Sequence, residues 1–397
     1  MSGTAILPGA TIGFLGGGQL GRMTALAARS MGYDVHVLDP DADCATRPVA
    51  SRTITAAFTD VAAAEELARH CDVITLEIEQ IHPDVMDAAA QYAPVRPGRE
   101  AVYVIQDRIR QKTWLRAEQF PLGAFVAAQS SDDVGSAVRQ FGASIAKSTH
   151  GGYDGRGQVR LADPALAPDA WMALGAQPCV VEQRVDIDYE LSVLVARRPS
   201  GDVAVYPPSR NHHTSGVLTW AVTPALITEE MAARAQSLAV RIAERLGIVG
   251  LLAVECFVTR DGALLVNELA PRPHNTYHHS ERSNGASQFE QLVRAICDLP
   301  LGATDTLVPA AIVNLLGDVW LQDAAPALVD ALSVPSSRLH LYGKREARTG
   351  RKMGHLSSTG DTAQQALSRA LQSYRLLSPG TVTSFDVDEP VLPYPSP

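Results

Sequence analysis

A chain of 397 residues with 46% hydrophobic content has room for two or three domains with their own cores. A formal charge of -9 argues against a protein that coats nucleic acid, so basic clusters are read as local sites. Five cysteines at 44, 71, 179, 256 and 297 form no C-x-x-C pair. With no leader-like start and no apolar run of membrane-spanning length, a soluble cytoplasmic protein is expected.

Residues 12–15 form a short apolar run, followed by Gly16, Gly17, Gly18 and Gly21, then by Leu20, Met23, Ala27 and Met31 at helical spacing. A second strand at 35–38 ends at Asp39. This G-x-G-x-x-G pattern, with Asp39 in the position of a ribose-binding acid, suits a dinucleotide. The same glycines can cradle any phosphate or simply let strand and helix pack closely. Val73–Leu76 reads as a buried strand that delivers Glu77 and Glu79, and Glu77 either faces a substrate or marks an exposed strand end. Pro94 and Pro97 close the first domain near residue 100.

Residues 105–118 have the composition of one helix, with Arg108 and Lys112 one turn apart on a solvated face unless a phosphate lies near. Strands at 124–127, 144–147 and 158–161 surround KSTHGGYDGRGQ, residues 147–158. Lys147 ahead of Gly151, Gly152, Gly155 and Gly157 makes a phosphate cover, with the lysine as point charge and the glycines as a tight backbone approach. The G-K-S/T ending of a Walker A loop is missing, and a flexible surface turn would use the same residues. A mobile lid there would exclude water from a reactive phosphate. The strand Cys179–Gln183 delivers Glu182, and the run after it delivers Glu190; 191–196 and 203–206 fit paired strands. Asn211, His212 and His213 resemble a metal site only superficially, because neighbours in a strand point apart.

Ile227, Met231, Ala235, Leu238, Ile242 and Leu246 form the stripe of a core-facing helix. Two apolar runs, 251–258 and 263–269, then flank Asp261 and Gly262, a pair favoured in two-residue hairpin turns. If Arg260 opposes Ala263, Glu255 stands opposite Glu268. Opposed carboxylates in apolar strands need a proton or a cation, and magnesium with bound phosphates is the economical choice. The alternative is that one glutamate lies outside the sheet. Asn267 adds an amide oxygen, and Pro271 and Pro273 stiffen the segment presenting Arg272 and His274. After a helix at 288–296, 312–316 and 339–342 read as strands of a last domain. Lys344, Arg345, Arg348, Arg351 and Lys352 form a candidate receptor for a small phosphorylated substrate. A final helix covers 362–371, and the tail packs as an edge. Together these pieces describe a nucleotide machine able to move a phosphoryl group to an acyl oxygen.

GFLGGGQLGRM at 13–23, QDRIRQK at 106–112, GGYDGRGQ at 151–158, LLVNELAPRPHN at 264–275, SQFEQ at 287–291, and YGK with GRKMGH at 342–344 and 350–355 together resemble the N5-carboxyaminoimidazole ribonucleotide synthase family of ATP-grasp enzymes. The resemblance implies a mixed α/β and α+β fold. A preATP-grasp domain would occupy 1–103, a two-part ATP-grasp domain with a glycine-rich lid 104–305, and a small C-terminal domain 306–397. It implies ATP- and bicarbonate-dependent carboxylation of 5-aminoimidazole ribonucleotide through carboxyphosphate, in a homodimer that hands its product to a separate mutase. ATP phosphates would meet Arg108, Lys147, Gly152, Tyr153, Asp154, Gly155, Arg156, Gly157 and Gln158. The segment Glu182, Gln183, Arg184 and Val185 would line the adenine and Glu190 the ribose, with His213 and Asn267 joining the nucleotide site. Magnesium would fall to Glu255 and Glu268. Tyr153, Asp154, Arg156, Lys344, Arg351 and Lys352 would hold the ribonucleotide. Gln19, Glu77, Arg272, His274 and Asn275 would lie nearer the amine or bicarbonate, with Asp154, Arg272 and His274 catalytic. The resemblance assigns the first glycine loop to the substrate side. Departures stand at 148–150 and at Thr276, Tyr277, His278 and His279. Another ATP-grasp carboxylase or ligase, an NAD-binding oxidoreductase, and a catalytically silent nucleotide-binding protein are the alternatives.

Overall fold

The computed structural model of the protein describes residues 5–151, 157–322 and 324–377. Gly152, Tyr153, Asp154, Gly155, Arg156 and the tail from 378 lie outside the described residues. Four parallel strands form the first sheet, in the order Arg52–Thr55, Asp34–Asp39, Thr11–Leu15, Val73–Leu76. Their apolar runs fit a sheet covered on both faces. On one face Leu15, Ile74 and Leu76 pack with Leu67, Val85 and Met86 from helices Val61–Ala68 and Pro83–Ala90. On the other, Ile12, Phe14, Val35 and Val37 share a core with Ala25 and Ala28 of helix Gln19–Ser30 and with Leu292, Val293 and Ile296 of helix Gln288–Ile296. One continuous core therefore fuses the first region to the centre of the molecule.

The helix expected at 105–118 is Arg108–Ala117, and Ile105 ends a separate preceding helix, Arg99–Ile105. Asp107 causes the break: in extended backbone, its carboxylate accepts the Arg110 N–H at 2.8 Å and starts a new helix. The Arg108 N–H meanwhile goes to the Thr149 carbonyl at 3.0 Å. The restart turns Lys112 inward rather than onto a solvated face.

A four-stranded antiparallel sheet follows, in the order Phe125–Ala128, Cys179–Gln183, Ser144–Ser148, Gln158–Leu161. Val134, Val138 and Ala170 from helices Ser131–Phe141 and Ala167–Ala173 cover it. The largest sheet has nine strands and is antiparallel throughout. Helix Glu229–Arg245 begins where Thr228 accepts the Met231 N–H, and it lays Met231, Ala235, Leu238 and Ile242 on this sheet. Burying a leucine or isoleucine stabilises by about 1.5–3 kcal/mol, so the stripe is a substantial anchor.

The strands expected of the last domain continue this sheet: Val217–Thr223 pairs with Ala310–Leu316, which pairs with Lys352–Thr359, with Ser337–Leu341 at the edge. The last helix, Ala363–Leu377, outruns the expected 362–371 because Ala370, Leu371, Tyr374 and Leu377 continue its buried stripe. No helix among the described residues is long and apolar enough to cross a membrane.

Candidate active site

Parallel pairing of Leu15 with Leu76 brings the turn after one strand beside the turn after the other. Glu77 therefore meets the glycine loop, and its carboxylate accepts the N–H groups of Gly18 at 2.8 Å, Gly21 at 2.9 Å and Leu20 at 3.1 Å. Burial pushes the Glu77 carboxyl above its ordinary range, against the pull of the Gly21 and Gly18 N–H groups. Asp39 is also consumed locally, accepting the Gly17 N–H at 2.7 Å and the Asp41 N–H at 2.8 Å. Both readings of this loop as a phosphate or dinucleotide cradle are corrected: the helix N-terminus already holds an anion of its own chain. A Cβ at Gly18 would sit 2.4 Å from Glu77 Oε1, so a side chain there would displace this carboxylate.

Glu255 does stand opposite Glu268. The reasoning to that register needs correction, because the hairpin has a three-residue loop, 260–262, with the Gly262 N–H on the Thr259 carbonyl and Thr259 N–H on Ala263. Gly262 takes φ +81, as a glycine closing such a loop does. A bulge then leaves Asn267 unmatched, between the pairs Glu255 with Glu268 and Cys256 with Val266, and this restores the pairing.

Each carboxylate meets a cationic or imidazole side chain. Arg108 donates to Glu268 at 2.9 Å, and His274 Nε2 lies 2.9 Å from Glu255 Oε1. Desolvation opposes ionisation of Glu255, yet His274, His213 and Lys352 hold it below the usual carboxylate range. His274 Nδ1 lies 2.8 Å from Thr276 Oγ1, so both ring nitrogens are engaged. Arg272, expected near the reacting groups, makes a two-pronged pair with Glu79 at 2.6 and 3.1 Å. Burial alone would lower the Arg272 pKa; Glu79 raises it.

On the nucleotide side, Lys147 and Lys112 flank one buried carboxylate. Their ammonium groups lie 3.1 and 3.3 Å from Glu182 Oε1 and Oε2. Burial would raise the Glu182 pKa, but the two lysines bring it below its ordinary value. Burial lowers that of Lys112, with Glu182 opposing. His213 Nδ1 lies 2.8 Å from Glu190, which overcomes desolvation and raises the imidazole pKa. His212 turns away across a register shift and stacks on Trp220 at 5.2 Å.

These groups surround one cavity of about 1120 Å³. Its wall includes Arg108, Lys147, Gln158, Glu182, Gln183, Arg184, Val185, Glu190 and His213. It continues past Glu255, Asn267 and Glu268 to Gln19, Glu77, Arg272, His274, Asn275, Lys344 and Lys352. Lys344 Nζ donates to Gln19 Oε1 and to the Lys352 carbonyl, each at 2.7 Å, joining two distant parts of the chain. The basic cluster is divided: Lys344 and Lys352 line the cavity, whereas Arg345 pairs with Asp43, Arg348 with Glu346, and Arg351 donates to the Glu346 carbonyl. Arg351 is not among the wall residues, and neither is Gly157. Asn275 is 8% exposed, and neither of its side-chain polar atoms has a hydrogen-bond partner.

The comparisons with known proteins agree along the chain. The ribonucleotide synthetase preATP-grasp domain matches residues 9–106, the ATP-grasp domain 113–289, and the phosphoribosylaminoimidazole carboxylase C-terminal domain 310–369. The N5-carboxyaminoimidazole ribonucleotide synthase of Bacillus subtilis is 40% identical over 359 residues, 90% of this chain and 93% of that one. The chain belongs to the N5-carboxyaminoimidazole ribonucleotide synthase family. The synthase of Brucella melitensis is 41% identical over 90% of this chain and 98% of its own. An ADP complex of an N5-carboxyaminoimidazole ribonucleotide synthetase matches with TM-score 0.87 and 38% identity, over 94% of this chain and 98% of its own. The synthase of Aspergillus clavatus in complex with ADP and 5-aminoimidazole ribonucleotide gives TM-score 0.85 at 28% identity, over 93% of this chain and 98% of its own.

Within this family frame, the departures at 276–279 are packing residues. The Tyr277 hydroxyl lies 2.8 Å from the Ser192 carbonyl and 2.9 Å from that of Pro207. His279 bridges Thr223 and Ser283, and His278 stacks on His355 at 4.9 Å. At the other departure, His150 Nε2 lies 3.3 Å from Asp107. Three residues of the quoted motifs have work that spacing did not reveal. Gln288 accepts the His274 N–H and donates to its carbonyl, at 2.8 and 3.0 Å. Gln111 holds Leu269 in the same two-sided way, at 3.1 and 3.4 Å, and so fixes the strand carrying Glu268. Lys112 is the third. Periodicity gave no signal for Gln111, whose helix is largely polar, although a buried amide must find partners.

Proposed function

We propose that the protein carboxylates the exocyclic amine of 5-aminoimidazole ribonucleotide with bicarbonate and ATP, giving N5-carboxyaminoimidazole ribonucleotide, ADP and phosphate. It is an ATP-dependent C–N ligase of purine biosynthesis. The observation that carries this reading is the single cavity, in a family member matched along nearly its whole length. Its nucleotide wall of Lys147, Arg108 and Glu190 runs without a partition into a second wall of Gln19, Asn275 and Lys344. The unpartnered Asn275 amide supports a polar ligand at that second wall, because a buried amide without partners is destabilising until something bonds it.

In this reading Lys147 and Arg108 bind the ATP phosphates, residues 182–185 line the adenine, and Glu190 with His213 meets the ribose. The γ-phosphoryl group passes to bicarbonate. The carboxyphosphate formed then delivers its carboxyl carbon to the amine, which loses a proton as phosphate leaves. Enclosure matters, because water would hydrolyse the mixed anhydride first. Asp154, Arg272 and His274 are assigned to catalysis; Glu79 fixes Arg272, and Glu255, Thr276 and Gln288 fix His274. Lys344, Lys352, Arg351, Tyr153, Asp154 and Arg156 are assigned to the ribonucleotide.

Glu255 and Glu268, side by side on one sheet face, fit magnesium, which takes one or two carboxylates and completes its shell with phosphate oxygens and water. When bound, it would neutralise charge on the transferring phosphoryl group. We further assign domain limits at 1–103, 104–305 and 306–397, a homodimer in the cytoplasm, and delivery of the carbamate product to a separate mutase. ADP release should require ATP, magnesium, bicarbonate and 5-aminoimidazole ribonucleotide together, with the carboxylated product followed directly. Folded, ATP-binding protein that forms no product would move another phosphorylated acceptor to the front.

A further inference from the structure

Lys112 is a buried cation that the nucleotide reading leaves unused. It lies one turn after Arg108 on helix Arg108–Ala117 and is 4% exposed. Its ammonium sits 3.3 Å from Glu182 Oε2 and donates to the Asn267 carbonyl at 3.5 Å. Lys147, on strand Ser144–Ser148, approaches the other oxygen of the same carboxylate at 3.1 Å. Lys147 is part of the cavity wall and Lys112 is not.

Both contacts with Glu182 are ion pairs. Oε1, the oxygen facing Lys147, is buried with no hydrogen-bond partner, so Lys147 is held by charge without an aligned bond. Two ammonium groups against one carboxylate leave the trio with one surplus positive charge, facing the cavity through Lys147. A phosphate that takes Lys147 must compete with Glu182 for it. If Lys112 were neutral, Glu182 would form a closed one-to-one pair with Lys147. Out of water such a pair is hard to open, because Coulomb attraction is poorly screened there. With Lys112 present, Glu182 keeps a permanent partner when Lys147 leaves.

We propose that Lys112 is a positioning residue for ATP: it anchors Glu182 and so keeps Lys147 available to the incoming polyphosphate. The inference rests on the nucleotide-site reading given above, and it concerns the phosphates of the nucleotide rather than the identity of the acceptor.

Charge rescue separates this role from simple neutralisation of a buried acid. Affinities for ATP and for inorganic tripolyphosphate, which lacks base and ribose, are measured by calorimetry without ribonucleotide, alongside thermal melts. Lys112→Met should weaken both ligands by about tenfold or more, the scale expected when one member of a buried charge set is removed. Its KM for ATP should rise more than its kcat falls, with the ribonucleotide KM unchanged. Lys112→Arg should retain most of the affinity. The double variant Lys112→Met/Glu182→Gln should recover tripolyphosphate binding, because it restores one surplus charge at Lys147. Folded Lys112→Met protein with unchanged affinity overturns the proposal, as does a double variant no better than the single one. Should Lys112→Met not fold, Glu182→Gln alone decides: it should bind tripolyphosphate at least as tightly as the unmodified protein, and weaker binding overturns the proposal. Failure of the unmodified protein to bind ATP would instead sink the nucleotide-site reading, and failure to carboxylate the ribonucleotide would leave these binding results standing.

Discussion

Glu77 and Glu182 are both buried carboxylates near the C-terminal ends of strands, yet their partners differ in kind. Glu77 is held by three backbone N–H groups whose positions are fixed by a strand, a turn and a helix. Glu182 is held by two ammonium groups on flexible four-carbon stems. A ligand could reach the first set only by displacing a carboxylate held by three hydrogen bonds, whereas it can draw a lysine from the second by competition. Glycine-rich loops thus do not report phosphate binding by themselves; what matters is whether the chain already supplies the anion.

The largest expected effect lies at Glu182's exchangeable partner. Lys147→Met should lower ATP-dependent ADP release by about 100-fold or more while leaving the melting temperature nearly unchanged, as loss of a group aimed at developing phosphate charge does. At the fixed site the pattern should invert. Glu77→Ala strands three N–H groups and should lower unfolding stability by about 3 kcal/mol in urea titrations, with Glu77→Gln recovering part of the loss. Should Glu77→Ala change nucleotide affinity more than stability, the distinction between the two carboxylates fails.

The stacked imidazoles of His278, His355 and His340 provide a neutral counterpart to both charged sites. Burial holds His278 and His355 well below their ordinary pKa, and His340 is pushed down to about 4, with Arg338 and Arg22 adding to the effect. Tyr342 Oη lies 3.0 Å from His355 Nδ1, Gln288 Nε2 lies 3.1 Å from His278 Nδ1, and Glu281 lies 3.8 Å from His340 Nδ1. His274 and Lys352 also bear on His278, and His279 on His355. The unfolded chain binds protons that the folded stack refuses, so stability is full above about pH 6.5 and falls below it, by up to about 1.4 kcal/mol per pH unit for each imidazole. Urea midpoints between pH 7.5 and 5.5, a range bracketing that value by about one unit, should show the decline. His340→Gln should make it shallower, leaving the share of His278 and His355. Glu255, depressed instead, loses its contribution only at far lower pH, as pH falls through its folded value. The smallest effect belongs to Arg348→Ala, an exposed ion pair whose loss should shift stability by less than about 0.5 kcal/mol and leave the ribonucleotide KM unchanged.

Sequence alone determined what depends on neighbours along the chain. The stripe from Met231 to Ile242, the strand at Val73–Leu76 and the helix at Gln288–Ile296 follow from local periodicity, and motif combination carried the family. Asp107 was also legible as a cap in principle, although its neighbours' helical propensity concealed the break. Spacing placed Glu255 opposite Glu268, but through two departures that offset each other: a longer loop and a bulge at Asn267. Only the tertiary structure decided which charges are spoken for. That Glu77 fills the glycine loop, that Arg272 belongs to Glu79, that Lys112 shares Glu182 with Lys147, and that Lys344 rather than Arg351 reaches the cavity all depend on segments far apart in sequence. Periodicity reports which face of an element is buried; it carries no information about which distant partner neutralises a buried charge, because that pairing exists only once the sheets have packed.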